Sequence, residues 1–450
     1  MEGGGARRKA RSPWAKKRRR LIVILLVVAA VLLPALIWRI GVSREARMLL
    51  TAREASGQPV TMAQLNERFP APAEEENGAE LYGEALRTYR DLPPDKLDLL
   101  LWMGKRKPVP GEALDPVVRD ATLEWLGANA DTLEKVKAAA ERKQCRYIAP
   151  YQPAGYNEFS IYGVLERLSD LACAAALIEA DRQDGVAASE ALACALALAR
   201  SPEQDGLYYT LVRQWEMEHQ FVEALQYCLS RTEIAEPILA AVESQFGAGR
   251  RLQQIRHMVL VEQCLFLGRI REGRRRGIPR NILIATGVGD LNISAHLRPM
   301  DEILRWTDAS LAERPIIEQH FDAEMKKLSK RATFSTVKVS IPPGYWSFYR
   351  KSLDQAALVR AGVAVHRYYV ARGRYPDTLE ALETGLSASE RLLPSTGHAI
   401  TYRVDRDTVE LSNGGESASE SGAAGGGSPA KRDSPELLRF LLIAPSTDTR

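Results

Sequence analysis

The chain is poor in the short patterns that announce chemistry. Its 450 residues contain no H-E-x-x-H, no G-x-S-x-G elbow and no Walker loop, which removes the usual sequence grounds for a zinc peptidase, an α/β-hydrolase or a nucleotide enzyme. "IATGVGDLN" offers G-x-G without a third glycine or a preceding strand-like run, so it is no dinucleotide fingerprint. Histidine is scarce and scattered: His219, His257, His296, His320, His366 and His398. Only "EMEH", Glu216 to His219, has the E-x-x-H spacing that sets a carboxylate and an imidazole on one helix face, and a di-iron bundle needs a second copy plus two more inward glutamates. The five cysteines (Cys145, Cys173, Cys194, Cys228, Cys264) include no C-x-x-C, and their spacing pairs none of them. Cys173, Cys194 and Cys228 stand among Ala and Leu in helical patterns, where a thiol packs as a small apolar side chain. No catalytic, cofactor-binding or metal-ligating residue is assigned on these grounds.

A further absence is charge between Leu21 and Trp38. "LIVILLVVAAVLLPALIW" holds 18 uncharged residues, about 27 Å of helix at roughly 1.5 Å per residue, against a hydrocarbon core of about 30 Å. The overall charge of +4 would suit a nucleic-acid binder, but residues 1–20 alone carry nine Lys/Arg against Glu2, a net of +8. Subtracting the tail leaves −4 for the rest, so no nucleic-acid partner is expected. A basic tail beside an apolar run stays in the cytoplasm, and the chain beyond the run is exported. Trp38 then sits at the interface, Arg39 snorkels, and Pro34 is tolerated where freed carbonyls are satisfied locally. "GVS" at Gly41 to Ser43 would serve a cleaved signal peptide, but such peptides usually have a shorter apolar region. The segment is therefore read as an uncleaved anchor.

The remainder is 45% apolar and 26% charged counted over the whole chain, ordinary globular material with helical periodicity. Arg44 to Ala55 reads as a polar helical stalk. Pro116 to Arg142 reads as one helical stretch. Val164, Leu168, Leu171, Ala175 and Ile178 recur on one helical stripe. Asp184 and Gly185 make a turn into "VAASEALACALALAR", apolar nearly all round and so expected to be covered on several sides. Leu211, Trp215, Val222, Leu225 and Leu229 mark another core face, and a shorter helix follows Thr232, an expected N-cap, as far as Phe246 and Gly247. Short links between successive helices imply stacked α-hairpins. "GRIREGRRRGIPRN" carries six arginines between Arg269 and Arg280; these would suit a phosphate or a lipid headgroup, but Gly, Pro and surface Arg at the end of a helix favour the reading as a solvated turn.

Near the far end, "HRYYVARGRYPDTLEAL" runs from His366 to Leu382. Gly373 is placed to close the preceding helix in a left-handed conformation, Pro376 prevents its continuation, and Asp377 or Thr378 caps a short helix over "LEALE". "HAITYRV" and "TVELS" alternate as two strands about the turn "DRD", and "LLRFLLIAP", Leu437 to Pro445, reads as a third. The Gly/Ser-rich stretch between the last two is too poor in apolar groups to fold alone and is expected to be mobile.

The set Gly373, Tyr375, Pro376, Leu379 and Leu382, followed by "GHAITYRVDRDTVEL", resembles the helix, G-x-Y-P-x-x-L-x-x-L turn and hairpin of the major pseudopilin of type II secretion. With "NGAELYGEAL" and the Ala-rich helix around Ala188 to Arg200, it also resembles uncharacterised bacterial proteins that have one N-terminal membrane helix and a long helical domain. The resemblance implies an α+β module at the C-terminal end. Pseudopilins carry a Glu early in the apolar helix, which Leu21 onward lacks, and an acidic calcium loop, where this chain has only Glu416 and Glu420 with Asp433 remote. Neither filament assembly nor a metal is carried over.

The expected fold is mainly α, with one transmembrane helix, a stacked α-hairpin exported domain and a small α+β pseudopilin-like module. Its divisions are a basic cytoplasmic tail (1–20), the transmembrane helix (21–38), a stalk or linker (39–76), the hairpin domain (77–335), the module (345–411), a flexible insertion (412–435) and a last strand (436–445). The expected function is a non-enzymatic interaction or scaffold protein on the outer face of the bacterial inner membrane. Its partners are the bilayer, through Leu21 to Trp38, and a protein whose identity the sequence does not supply. The alternatives are an exported hydrolase whose site is assembled from distant positions and an accessory component of a secretion apparatus.

Overall fold

The computed structural model describes residues 13–100, 107–152, 160–271, 288–331, 345–382, 387, 391–395, 397–406, 408–413 and 438–444. Fourteen α-helices lie among them: α1 Pro13–Ala55, α2 Met62–Arg68, α3 Ala79–Thr88, α4 Pro94–Leu97, α5 Pro116–Ala128, α6 Ala130–Ala140, α7 Ser160–Asp181, α8 Gly185–Arg200, α9 Tyr208–Arg231, α10 Glu236–Gln245, α11 Ala248–Arg271, α12 Val288–Asp308, α13 Arg314–Arg331 and α14 Tyr345–Arg372. One antiparallel sheet, in the order β1 Thr401–Asp405, β2 Thr408–Ser412, β3 Arg439–Ile443, and three short 3₁₀ helices complete the described elements.

Helix α1 is long and apolar enough to cross a membrane, and its apolar window is not covered by the rest of the chain. Leu26 is 64% exposed and Ile37 62%, whereas the core residue Leu65 is 0% exposed. The helix does not stop where the apolar run does. It continues to Ala55 and lays Ala46, Leu49 and Leu50 against Leu267, Ile293 and Leu297 of α11 and α12. Arg53 closes this contact, donating to the Leu297 carbonyl at 2.7 Å and to Asp301 Oδ1 at 2.5 Å. The segment expected as a stalk and linker is thus docked on the body. Leu65 of α2 is buried as well, against Ile148, Tyr151, Val261 and Leu265.

Helices α7, α8 and α9 pack on one another, and α8 is buried on several sides, as its apolar sequence requires. Gly185 allows the tight α7–α8 turn to meet the α9–α10 link: a Cβ there would lie 2.1 Å from the Glu233 carbonyl oxygen. Two expected boundaries move. The stretch Pro116 to Arg142 breaks at Asn129, whose buried side chain accepts from Arg90 N–H at 2.8 Å and donates to the Arg90 and Trp125 carbonyls. At the break the Asn129 N–H turns to the Leu126 carbonyl, and the side chain takes over the Trp125 carbonyl that this frees. Thr232 follows α9 as its C-cap instead of starting α10; the N-cap of α10 is Ala235, with proline in its first turn.

At the C-terminal end, Gly373 has φ +70 and donates to the Tyr369 carbonyl at 2.7 Å, ending α14 as its sequence predicts. Tyr375 folds back so that its ring lies 4.6 Å from that of Tyr369. "LEALE" forms only a single 3₁₀ turn, Leu379–Ala381. Strand pairing places Val409 opposite Leu442 and Leu411 opposite Phe440, all buried on one face. That face shares a single core with α7, α8, α9, α10 and α14. Gln226 of α9 accepts the Leu441 N–H at 2.6 Å, covering a backbone donor of β3.

Candidate docking groove

A concavity of about 1070 Å³ lies where three segments meet: the α7–α8 turn, the α9–α10 link with the start of α10, and the last turns of α14. Each wall has a local cause. Gln183 takes φ 63, reversing the chain in two residues, and the Asp184 side chain accepts the Ala187 N–H at 3.0 Å to start α8. Ser189 Oγ accepts the Ala235 N–H at 2.9 Å, which pins the α9–α10 link to α8. Arg367 fastens α14 to α10, donating through Nε to Glu236 at 3.1 Å and through Nη1 to Glu243 at 2.5 Å.

The floor of the groove is apolar and closed: Ile234 and Leu239 are buried, as is His366. Its lip is open and mixed, with Val186 72% and Val370 54% exposed beside Asp184, Glu233 and Glu236. Burial, followed by the neighbouring Arg367, lowers the pKa of His366 to about 4, so its imidazole is neutral at physiological pH. The rim cation Arg367 is already shared between two glutamates. Such a surface can take an apolar side chain out of water between the two valines, with charged groups at its edge. The opening stretch of the C-terminal pattern supplies one whole wall: His366, Arg367, Val370 and Ala371.

No family model, curated protein or solved structure matches this chain.

The residues singled out by sequence distribute elsewhere. Glu216 receives a hydrogen bond from Arg213 Nη1 at 2.8 Å, while His219 Nδ1 lies 3.3 Å from Gln355 Nε2, so "EMEH" does not converge on one point. Among the described residues no group of three or more His, Cys, Asp or Glu is placed to hold a metal ion. All five cysteines are free; burial raises the pKa of Cys194 to about 11 and of Cys264 to about 12. Of the basic run, Arg269 and Arg271 end α11, and the other four arginines lie outside the described residues, as do Glu416, Glu420, Asp433 and the Gly/Ser-rich stretch 414–437.

The sequence pattern singled out Glu216 only as part of "EMEH" and did not mark Asp205 or Asp170. Asp205 is fully buried and accepts from Tyr147 N–H at 3.0 Å, Ile148 N–H at 2.9 Å and Tyr162 O–H at 3.0 Å; burial carries its pKa up to about 7 against the pull of those bonds. Asp170 rises to about 7 through burial and then Glu166, and Glu216 rises to about 7 through burial and a hydrogen bond shared with Glu166. None of these groups lines the groove. The partners of Asp205 are 43 to 58 residues away in sequence, too far for a local pattern to show, and the burial that raises Asp170 and Glu216 is set by packing against other elements.

Proposed function

We propose that this protein is a single-pass, membrane-anchored, non-enzymatic interaction or scaffold protein on the outer face of the bacterial inner membrane. The observation that carries the reading is the groove: a buried floor of Ile234, Leu239 and neutral His366 beneath the exposed Val186 and Val370. It suits an apolar side chain presented by a partner polypeptide. The uncovered helix through Leu21 to Trp38 supports the anchor, and the basic residues before it support a cytoplasmic N-terminus. The helical body is read as stacked α-hairpins, and residues 345–411 as a pseudopilin-like module, supported by the Gly373 stop and the Tyr369–Tyr375 contact.

Cross-linking and mass spectrometry of the full-length anchored protein in its native envelope tests this. The wild type is expected to yield a reproducible protein partner, and Val186→Asp and Val370→Asp each to lose it while the helical circular-dichroism signal is retained. Retained cross-links in both variants would remove the groove as the docking surface. A wild type without any reproducible partner would remove the scaffold reading itself.

A further inference from the structure

We infer that the body is seated directly on the membrane surface, with the end of α11 and the start of α12 held at anionic lipid headgroups by arginines. The inference rests on the anchor reading above. Its first support is geometric. Helix α1 leaves the apolar run at Trp38 without a break, and Ser43 already donates to Asp290 in the first turn of α12. Five residues of helix rise about 7.5 Å, and the polar layer on one side of a bilayer is about 5–7.5 Å deep. The first contact between anchor and body therefore falls at the outer edge of the headgroups.

The directions of the helices extend this contact into a surface. Ser43 meets Asp290, Ala46 and Leu50 share a core with Ile293 and Leu297, and Arg53 meets Asp301. Both numberings rise together, so α12 runs parallel to α1 and its first turn faces the bilayer. Helix α11 runs the other way: Ile255 and Val259 pack near Met300 and Trp306, while Phe266 stacks on His296 at 3.8 Å. The last turn of α11, with Arg269 and Arg271, therefore also faces the bilayer.

Charge supplies the second support. Arg39, Arg44 and Arg47 on α1 and Arg271 on α11 are exposed at this end. Beside them Glu45 is paired with Arg298 at 2.7 Å, Asp290 keeps its charge while accepting from Ser43, and Arg271 donates one N–H to the Val60 carbonyl at 3.0 Å, which leaves, among the described residues, four exposed arginines against one unpaired carboxylate. A cationic rim at headgroup height, on a chain that is net negative beyond residue 20, is complementary to an anionic lipid surface.

The test uses the full chain in lipid nanodiscs containing phosphatidylglycerol with a photoreactive headgroup, adducts being mapped by mass spectrometry. Adducts are expected on residues 39–47, 268–271 and 289–291, and not on 51–57, which end α1 farther from the bilayer. Arg271→Gln is expected to lower adduct yield on 268–271 by up to about five-fold, the equivalent of ~1 kcal/mol per basic residue near an anionic surface. Adducts confined to α1 in a chain that resists carbonate extraction would overturn the seat and leave the anchor intact. Equal yields from photoreactive phosphatidylcholine would overturn the part played by charge. Release of the chain by carbonate would overturn anchor and seat together.

Discussion

Gly362 shows how one missing side chain fixes the position of a strand. Helix α14 presents this glycine to Phe440 of β3, and a Cβ at residue 362 would lie 2.2 Å from Phe440 Cε1. The ring cannot retreat easily, because it is 1% exposed and paired across the sheet with Leu411. Gly362→Ala is expected to destabilise the protein by about 1–3 kcal/mol, the cost of overpacking a filled core. Chemical denaturation in detergent checks this, and adding Phe440→Leu should recover part of the loss. His296 gives a second test at this scale. Burial, then Arg269 and Arg53, lowers its pKa from 6.5 to about 3, so the native imidazole stays neutral while the unfolded one takes up a proton below pH 6.5. Its contribution is complete above 6.5 and is lost as pH falls toward 3. His296→Phe should therefore gain stability relative to wild type as the solution is acidified, by about 1 kcal/mol per pH unit below pH 6. A relative stability independent of pH would show that the imidazole is protonated in the native state.

Helices are where pattern alone was most and least informative. The stripe on α7, the α7–α8 turn, the Gly373 stop and the three strands were all readable, because each is set by residues within a few positions of one another. Arg53 was not. Ala46, Leu49, Leu50 and Arg53 lie at i, i+3, i+4 and i+7, a packing face, but a charge at its end makes the segment read as a solvated stalk. What lets that charge be buried is remote: Gln263, the Leu297 carbonyl and Asp301, more than 200 residues onward. Glu218 and Arg251 repeat the lesson between α9 and α11. Both are almost fully buried and ion-paired, and Gln214 adds a hydrogen bond to Glu218 at 2.8 Å. Glu218→Gln would leave the guanidinium buried without its counter-charge, at an expected cost of about 3–5 kcal/mol. Replacing both residues by methionine should cost less than the two single changes added together, as a double-mutant cycle in denaturant would show.

For the molecule as a whole, the decisive fact is that its largest core does not respect the division between a helical domain and a C-terminal module. Cys173, Leu192, Phe221 and Leu225 from the helical part and Ala361, Val365, Leu411 and Phe440 from the C-terminal part belong to one buried cluster. The second core likewise joins Ile255 and Trp306 to Trp346 and Tyr349 of α14. Removing residues 345–450 would therefore uncover the inner faces of α9, α10 and α11 at once, and each large apolar side chain re-exposed costs about 1.5–3 kcal/mol. A few such residues exceed the 5–15 kcal/mol by which an ordinary domain is stable. The expectation is that a chain ending at residue 344 reaches the membrane but is degraded or aggregates, and that limited proteolysis of the intact protein yields no stable fragment ending near that point. A truncated chain with a sharp, cooperative unfolding transition would show that the helical part carries its own fold, and that α14 and the sheet are an addition to it.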